Sequence, residues 1–170
     1  TGTVLMLEGP DCTIVRPYVG VAPRSVRGLA AAPVWVLTIE NLTTFHLAAE
    51  ALKGRDDGLV VFTGGMPSPA WIAGFRRLTG GLPSSTAFYH WGDIDVGGFR
   101  IAARLQEFAV PEGVSLQPWL MDSTAHDRGK EVSISIRDAM RAAAVRAGWS
   151  SLQEMPALTL EQERVDVKLP

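Results

Sequence analysis

A single cysteine, Cys12, among 170 residues rules out an internal disulfide framework. That usage suits a reducing cytoplasm, where Cys12 reads as a small buried residue. Long hydrophobic runs are also missing, since none approaches the roughly 20 apolar residues that cross a bilayer. The opening Thr1-Gly-Thr-Val-Leu-Met-Leu7 has neither a charged n-region nor a long h-region, which excludes a signal peptide. With no initiator methionine at its head, the chain is expected to be the C-terminal part of a longer protein. Positive charge is not in surplus: 16 Lys and Arg stand against 18 Asp and Glu, for a net charge of −2. This argues against a protein that grips nucleic acid by bulk electrostatics, because phosphate affinity comes from clustered Lys and Arg. Zinc-ligand spacing is absent too, as His46, His90 and His126 are scattered singly.

What is present is enough apolar material for one folded domain, with 46% hydrophobic residues and five tryptophans. Residues 1–33 read as an irregular lead-in, the end of an upstream region, holding a short strand at Val4–Leu7, a Gly9-Pro10-Asp11 turn and a second short apolar run at Thr13–Val15. From Pro33 the pattern sharpens into a domain over 34–170. Val34–Ile39 is a β-branched apolar run of the kind that forms a strand buried on both faces. Thr43 is placed to cap a helix through about Lys53, and Leu59–Thr63 forms a second buried strand. Ser68 and Pro69 suit the N-cap and first position of a helix to about Leu78. Thr86–Gly92 is a third strand, a helix follows Gly97-Gly98, and Val114–Leu120 is a fourth strand. Beyond it, Val132–Arg146 reads as helical and Thr159–Glu163 as a capped helix start. Alternating strands and helices with short connections predict an α/β fold, with a central, mainly parallel sheet flanked by helices.

In such sheets ligands collect beyond the carboxyl ends of the strands. Glu40 directly follows the first buried strand, and Asp93 and Asp95 directly follow the third. On extended backbone, residues two apart point to the same side, so Asp93 and Asp95 form a pair. Hard divalent cations such as Mg²⁺ take oxygen ligands from one or two carboxylates together with water and substrate phosphate. Gly92, Gly97 and Gly98 keep the neighbouring backbone clear for close approach by a phosphate. A single acid after a strand is commonly a cap or a solvated turn residue; three at one edge shift the reading toward a metal centre.

Leu37-Thr-Ile-Glu-Asn-Leu-Thr-Thr-Phe45 and Tyr89-His-Trp-Gly-Asp-Ile-Asp-Val-Gly-Gly-Phe99 together resemble the JetD C-terminal family, nuclease subunits of Wadjet plasmid-defence systems. The closing Glu161-Gln-Glu-Arg164 is similar to that family's C-terminal motif. The resemblance implies a Toprim (Rossmann-like) fold related to the topoisomerase VI A subunit and Spo11. It implies a metal-dependent DNA endonuclease with Glu40 as ligand or general acid/base, and Asp93 and Asp95 as Mg²⁺ or Mn²⁺ ligands. Glu161 and Glu163 are further metal-side candidates. His90, Arg100, Arg104 and Arg164 are candidate DNA contacts, with Arg100 and Arg104 at i and i+4 on one helix face. The partners implied are double-stranded plasmid DNA and a condensin-related, SMC-like complex, with a homodimer as the expected active form and a cytoplasmic, nucleoid-associated location.

Two other readings compete. Asp93-Ile-Asp95-Val96 partly fits the Asp-x-Asp signature of haloacid-dehalogenase-like phosphatases, although Lys130 and the Asp122/Asp127 pair are poor substitutes for that family's remaining groups. The second is a non-catalytic Toprim scaffold that recruits DNA to an SMC-like complex.

Overall fold

The computed structural model describes residues 3–15, 17–121, 129–150 and 158–170. His126, Asp122 and Asp127 lie outside them. At its centre are four parallel strands, β4 (Trp35–Ile39), β5 (Gly58–Phe62), β6 (Ala87–Trp91) and β7 (Leu116–Pro118), in the order β5-β4-β6-β7. β4 pairs in unbroken register with both neighbours, Trp35 to Ile39 against Gly58 to Phe62 and against Ala87 to Trp91. All five residues of β4 are buried, as its continuous apolar run predicts for a central strand. Helices α1 (Leu42–Ala51), α2 (Pro69–Thr79), α3 (Val96–Phe108) and α4 (Ile134–Arg146) flank the sheet. This is the α/β architecture with a mainly parallel sheet that the sequence predicts, consistent with a Rossmann-like, Toprim-type fold.

The fourth strand is shorter than the Val114–Leu120 expected, because Pro118 cannot donate to a ladder and Leu120 takes a positive φ of 53°. Asn41, rather than Thr43, caps α1: its side chain accepts from the Thr44 amide at 3.1 Å. Ser68 caps α2 as expected, accepting from the Trp71 amide at 3.2 Å.

The N-terminal stretch departs from the irregular lead-in expected of it. It carries β1 (Val4–Leu7), β2 (Cys12–Thr13) and β3 (Val26–Leu29) in an antiparallel sheet of order β2-β1-β3. The Val4–Leu7 strand was legible, but β3 reads Val-Arg-Gly-Leu and shows too short an alternation to be recognised alone. The sheet is held on α2 by Arg77, which donates to the carbonyls of Val26 and Pro23, each at 2.8 Å. A largely apolar cavity of about 390 Å³ lies between this sheet, α1, β5 and α2.

On the other side of the domain α4 packs along α3, and Met140, Ala143, Ala144, Ala147 and Trp149 are all buried there. Trp149 sits edge-on to Phe99, and its indole N–H donates to the Leu116 carbonyl. Phe88, Trp91, Phe99 and Leu105 are at most 1% exposed, each contributing roughly 1.5–3 kcal/mol through burial.

The last elements are β8 (Lys130–Glu131), antiparallel to β9 (Leu158–Thr159), and a 3₁₀ turn over Gln162–Arg164. The α-helix start expected at Thr159–Glu163 is therefore not formed. Leu160 instead bridges Ile94 through two backbone hydrogen bonds, 2.8 and 3.1 Å long. Tertiary pairing overrides the local capping signal. Among the described residues, no helix is long and apolar enough to cross a membrane.

Candidate functional site at the sheet switch point

The chain leaves β4 for β5 on one side and later returns to β6 on the other, so the strand order reverses between β4 and β6. Such a switch point opens a crevice at the carboxyl ends of its two strands. Glu40 directly follows β4 there, and Asp93 follows β6 by two residues. The Glu40 amide donates to the Trp91 carbonyl at 3.2 Å, and the Asp93 amide approaches Glu40 Oε2 at 3.4 Å. Two acids distant in sequence are thus brought together.

Glycine makes this closeness possible. A Cβ on Gly92 would lie 2.9 Å from Glu40 Oε2 and 2.8 Å from His90 Nε2, and one on Gly98 would lie 2.1 Å from the Asp93 carbonyl oxygen. The glycines expected to admit a phosphate are first of all those that let α3 and the acid turn pack.

Asp93 and Asp95 do share a side. Ile94, 2% exposed, points into the core between them, while both aspartates line a cavity of about 160 Å³ with Lys130, Thr159, Leu160, Glu161 and Arg164. Each aspartate has one oxygen committed to backbone. Asp93 Oδ1 accepts from the Gln162 amide at 2.7 Å, and Asp95 Oδ1 caps α3 by accepting from the Gly98 amide at 2.8 Å. The cap reading of Asp95 and its membership of the acid pair are therefore compatible. Among the described residues, no three His, Cys, Asp or Glu side chains form a group that could by itself hold a metal ion.

The electrostatics are those of crowded carboxyls. Burial, then the charge of Asp93 and to a smaller degree Asp95, raises Glu40 from an ordinary 4.5 to about 7, against the lowering effect of the Asp93 amide. Asp93 is also raised, first by burial and then by Asp95, Glu161 and Glu163, while the Gln162 amide pulls the other way. Glu161 and Glu163 are exposed, yet they stand near enough to bear on Asp93. Glu163 accepts from the Asn41 side-chain amide at 2.8 Å, and Glu161 pairs with Arg164 at 3.4 Å.

Of the candidate DNA contacts, His90 is corrected: it is fully buried, so its imidazole cannot reach a DNA phosphate. A hydroxyl has one proton to give, and Thr38 gives it to the Tyr89 carbonyl at 3.1 Å. His90 Nδ1, 2.9 Å from that hydroxyl, is then the donor of their hydrogen bond, leaving Nε2 a bare acceptor with no partner among the described residues. Burial pushes His90 down to about 3. Arg104 is engaged structurally, its Nε donating to the Pro67 carbonyl at 2.9 Å and its guanidinium lying 5.5 Å from the Phe108 ring centre. It ties the loop after β5 to α3. Arg100 is exposed, and Arg164 lies at the cavity beside the aspartates.

One residue at this edge was given no role by the sequence, although it lies within the closing Glu161–Arg164 motif. Gln162, only 1% exposed, accepts from the Asn41 amide through Oε1 at 2.9 Å and donates from Nε2 to the Trp91 carbonyl at 3.0 Å. A glutamine inside a charged stretch reads as solvated, and its partners here are backbone groups that no side-chain pattern marks.

Comparison with curated proteins finds no match. The family model for the C-terminal region of the Wadjet protein JetD matches residues 4–169, nearly the whole chain including the N-terminal sheet, and the chain belongs to that family.

Proposed function

We propose that this Wadjet component is a metal-dependent endodeoxyribonuclease domain that cleaves plasmid DNA presented by an SMC-like complex, through a Toprim-type acidic centre. The observation that carries the proposal is the meeting of Glu40 and Asp93 at the β4–β6 switch point, the Asp93 amide 3.4 Å from Glu40 Oε2. Asp93 and Asp95, each with one oxygen uncommitted among the described residues, would hold Mg²⁺ or Mn²⁺ as an open two-carboxylate site. Magnesium is commonly bound that way, with water and substrate phosphate completing its shell. The raised pKa of Glu40 and Asp93 supports the fit, since burial first and neighbouring carboxylates second disfavour their charged forms, and a divalent cation would offset both. The ion would supply charge neutralisation at the scissile phosphate and a more acidic water.

Glu40 serves as the proton-transferring group. Its half-buried carboxyl stands beside Asp93, where a carboxyl group can pass a proton to or from the reacting water. Lys130 and Arg164, lining the same cavity, face the phosphate side of the substrate. Exposed Arg100 on α3 is a further backbone contact. A net charge of −2 gives the domain little affinity of its own for duplex, so delivery of DNA falls to the partner complex.

The test is plasmid cleavage by the reconstituted complex with Mg²⁺ or Mn²⁺, comparing wild type with Glu40→Gln. Loss of a general acid/base costs roughly 10²–10⁴-fold in rate, and a drop of that order is expected. Full cleavage by the variant would sink the proposal in favour of the scaffold reading. A phosphorylated Asp93 would point to the phosphatase instead.

A further inference from the structure

We infer that Gln162 is a positioning residue: its side-chain amide acts as a surrogate peptide unit between β4 and β6 and sets the separation of Glu40 from Asp93. The inference rests on the acidic centre proposed above but makes a separate claim about how that centre is assembled.

At the carboxyl end of two parallel strands the backbone ladder stops, and the chains are free to splay. Here the ladder ends with the Glu40 amide on the Trp91 carbonyl. The next donor on the β4 side, the Asn41 amide, goes to Gln162 Oε1 at 2.9 Å. Gln162 Nε2 returns to the Trp91 carbonyl at 3.0 Å. One planar amide thus accepts from one strand and donates to the other, as a peptide group of an intervening strand would. The backbone of the same residue holds Asp93 Oδ1 at 2.7 Å. Three contacts from one residue therefore fix both strand ends and the acid itself.

Burial makes the arrangement stiff. Gln162 is 1% exposed, so an amide that lost either partner would be stranded away from water at a cost large enough to hold both strands in place. Neighbouring bonds add to it: the Asn41 side chain, while capping α1, donates to Glu163, and Leu160 is bridged to Ile94 between the two aspartates. Of the residues in this closing segment, Gln162 alone joins β4, β6 and Asp93 at once. Groups that orient a metal's ligands change metal affinity by about 10–100-fold when lost.

The test compares full-length wild type with Gln162→Met, which keeps the side chain's bulk and removes its hydrogen bonds. Gln162→Glu is the second variant, keeping an acceptor for the Asn41 amide but losing the donor to Trp91. Crystal structures read the Asp93 amide to Glu40 Oε2 distance, and Mn²⁺ titration followed by electron paramagnetic resonance reads ion affinity. In both variants the distance is expected to open beyond hydrogen-bond range. Mn²⁺ affinity is expected to fall at least about tenfold in Gln162→Met. A retained short distance in a folded variant overturns the inference, as does unchanged Mn²⁺ affinity beside a wild type that binds the ion. Wild type that takes up no Mn²⁺, with the distance opened in the variants, removes the metal reading of the site and leaves the positioning role standing.

Discussion

Replacing Gly98 with alanine is the sharpest probe of the acid turn. The new Cβ would sit 2.1 Å from the Asp93 carbonyl oxygen and 3.0 Å from both Asp93 C and N. The first distance is about 0.9 Å short of the 3.0 Å below which real Cβ contacts essentially never fall. Because the obstruction is backbone, no side chain can swing aside, and the first turn of α3 has to move away from Asp93. That movement stretches the 2.8 Å bond by which Asp95 caps the helix at Gly98 itself. Overpacking costs about 1–3 kcal/mol and a lost cap about 1 kcal/mol, while alanine returns up to about 1 kcal/mol in helix propensity. The net loss is about 1–3 kcal/mol. For a domain of this size that lowers the melting temperature by roughly 2–12 °C. The assay is thermal unfolding of Gly98→Ala beside Gly81→Ala, where no heavy atom lies within 4 Å of the added Cβ. Gly81→Ala is expected to melt like wild type. If Gly98→Ala melts with it, the tight contact between α3 and the acid turn is not real, and the separation of the acids loses its explanation.

Two further outcomes follow from the same geometry. Glu40 titrates near 4.5 when unfolded and about 7 when folded. Between those values the unfolded chain has already released a proton that the folded one still holds, so stability declines as pH rises from about 4.5 to about 7. In a metal chelator, the melting temperature of wild type minus that of Glu40→Gln is expected to decrease across that window; a flat or rising difference contradicts the buried, crowded carboxyl. Arg77→Ala leaves the Val26 and Pro23 carbonyls without their charged donor, and urea unfolding is expected to show a loss of about 1–3 kcal/mol. An unchanged midpoint would mean that the N-terminal sheet is held to α2 by packing alone.

Much of the central sheet was legible because its signals are local. β4 and β5 announce themselves as β-branched runs, and Ser68-Pro69 marks a helix start that the structure keeps. The positions of Glu40 and Asp93 followed from one rule, that loops at the carboxyl ends of parallel strands share an edge. What escaped was set by distant partners. Thr159–Glu163 has the composition of a capped helix, but Leu160 is claimed by Ile94 and Gln162 by the strand ends. His90 alternates like a strand residue that might face a ligand. The structure buries it against Thr38, with the ring centre of Trp149 6.5 Å away. Asn41, two residues before Thr43, holds the cap because the helix already begins at Leu42, close behind the strand.

The join between Asn41 and Glu163 spans 122 positions of the chain. Synthesis runs from the N-terminus, and early segments fold first. A nascent polypeptide carrying Glu40, Asp93 and Asp95 therefore lacks the acceptor for the Asn41 side-chain amide until residue 163 has been made.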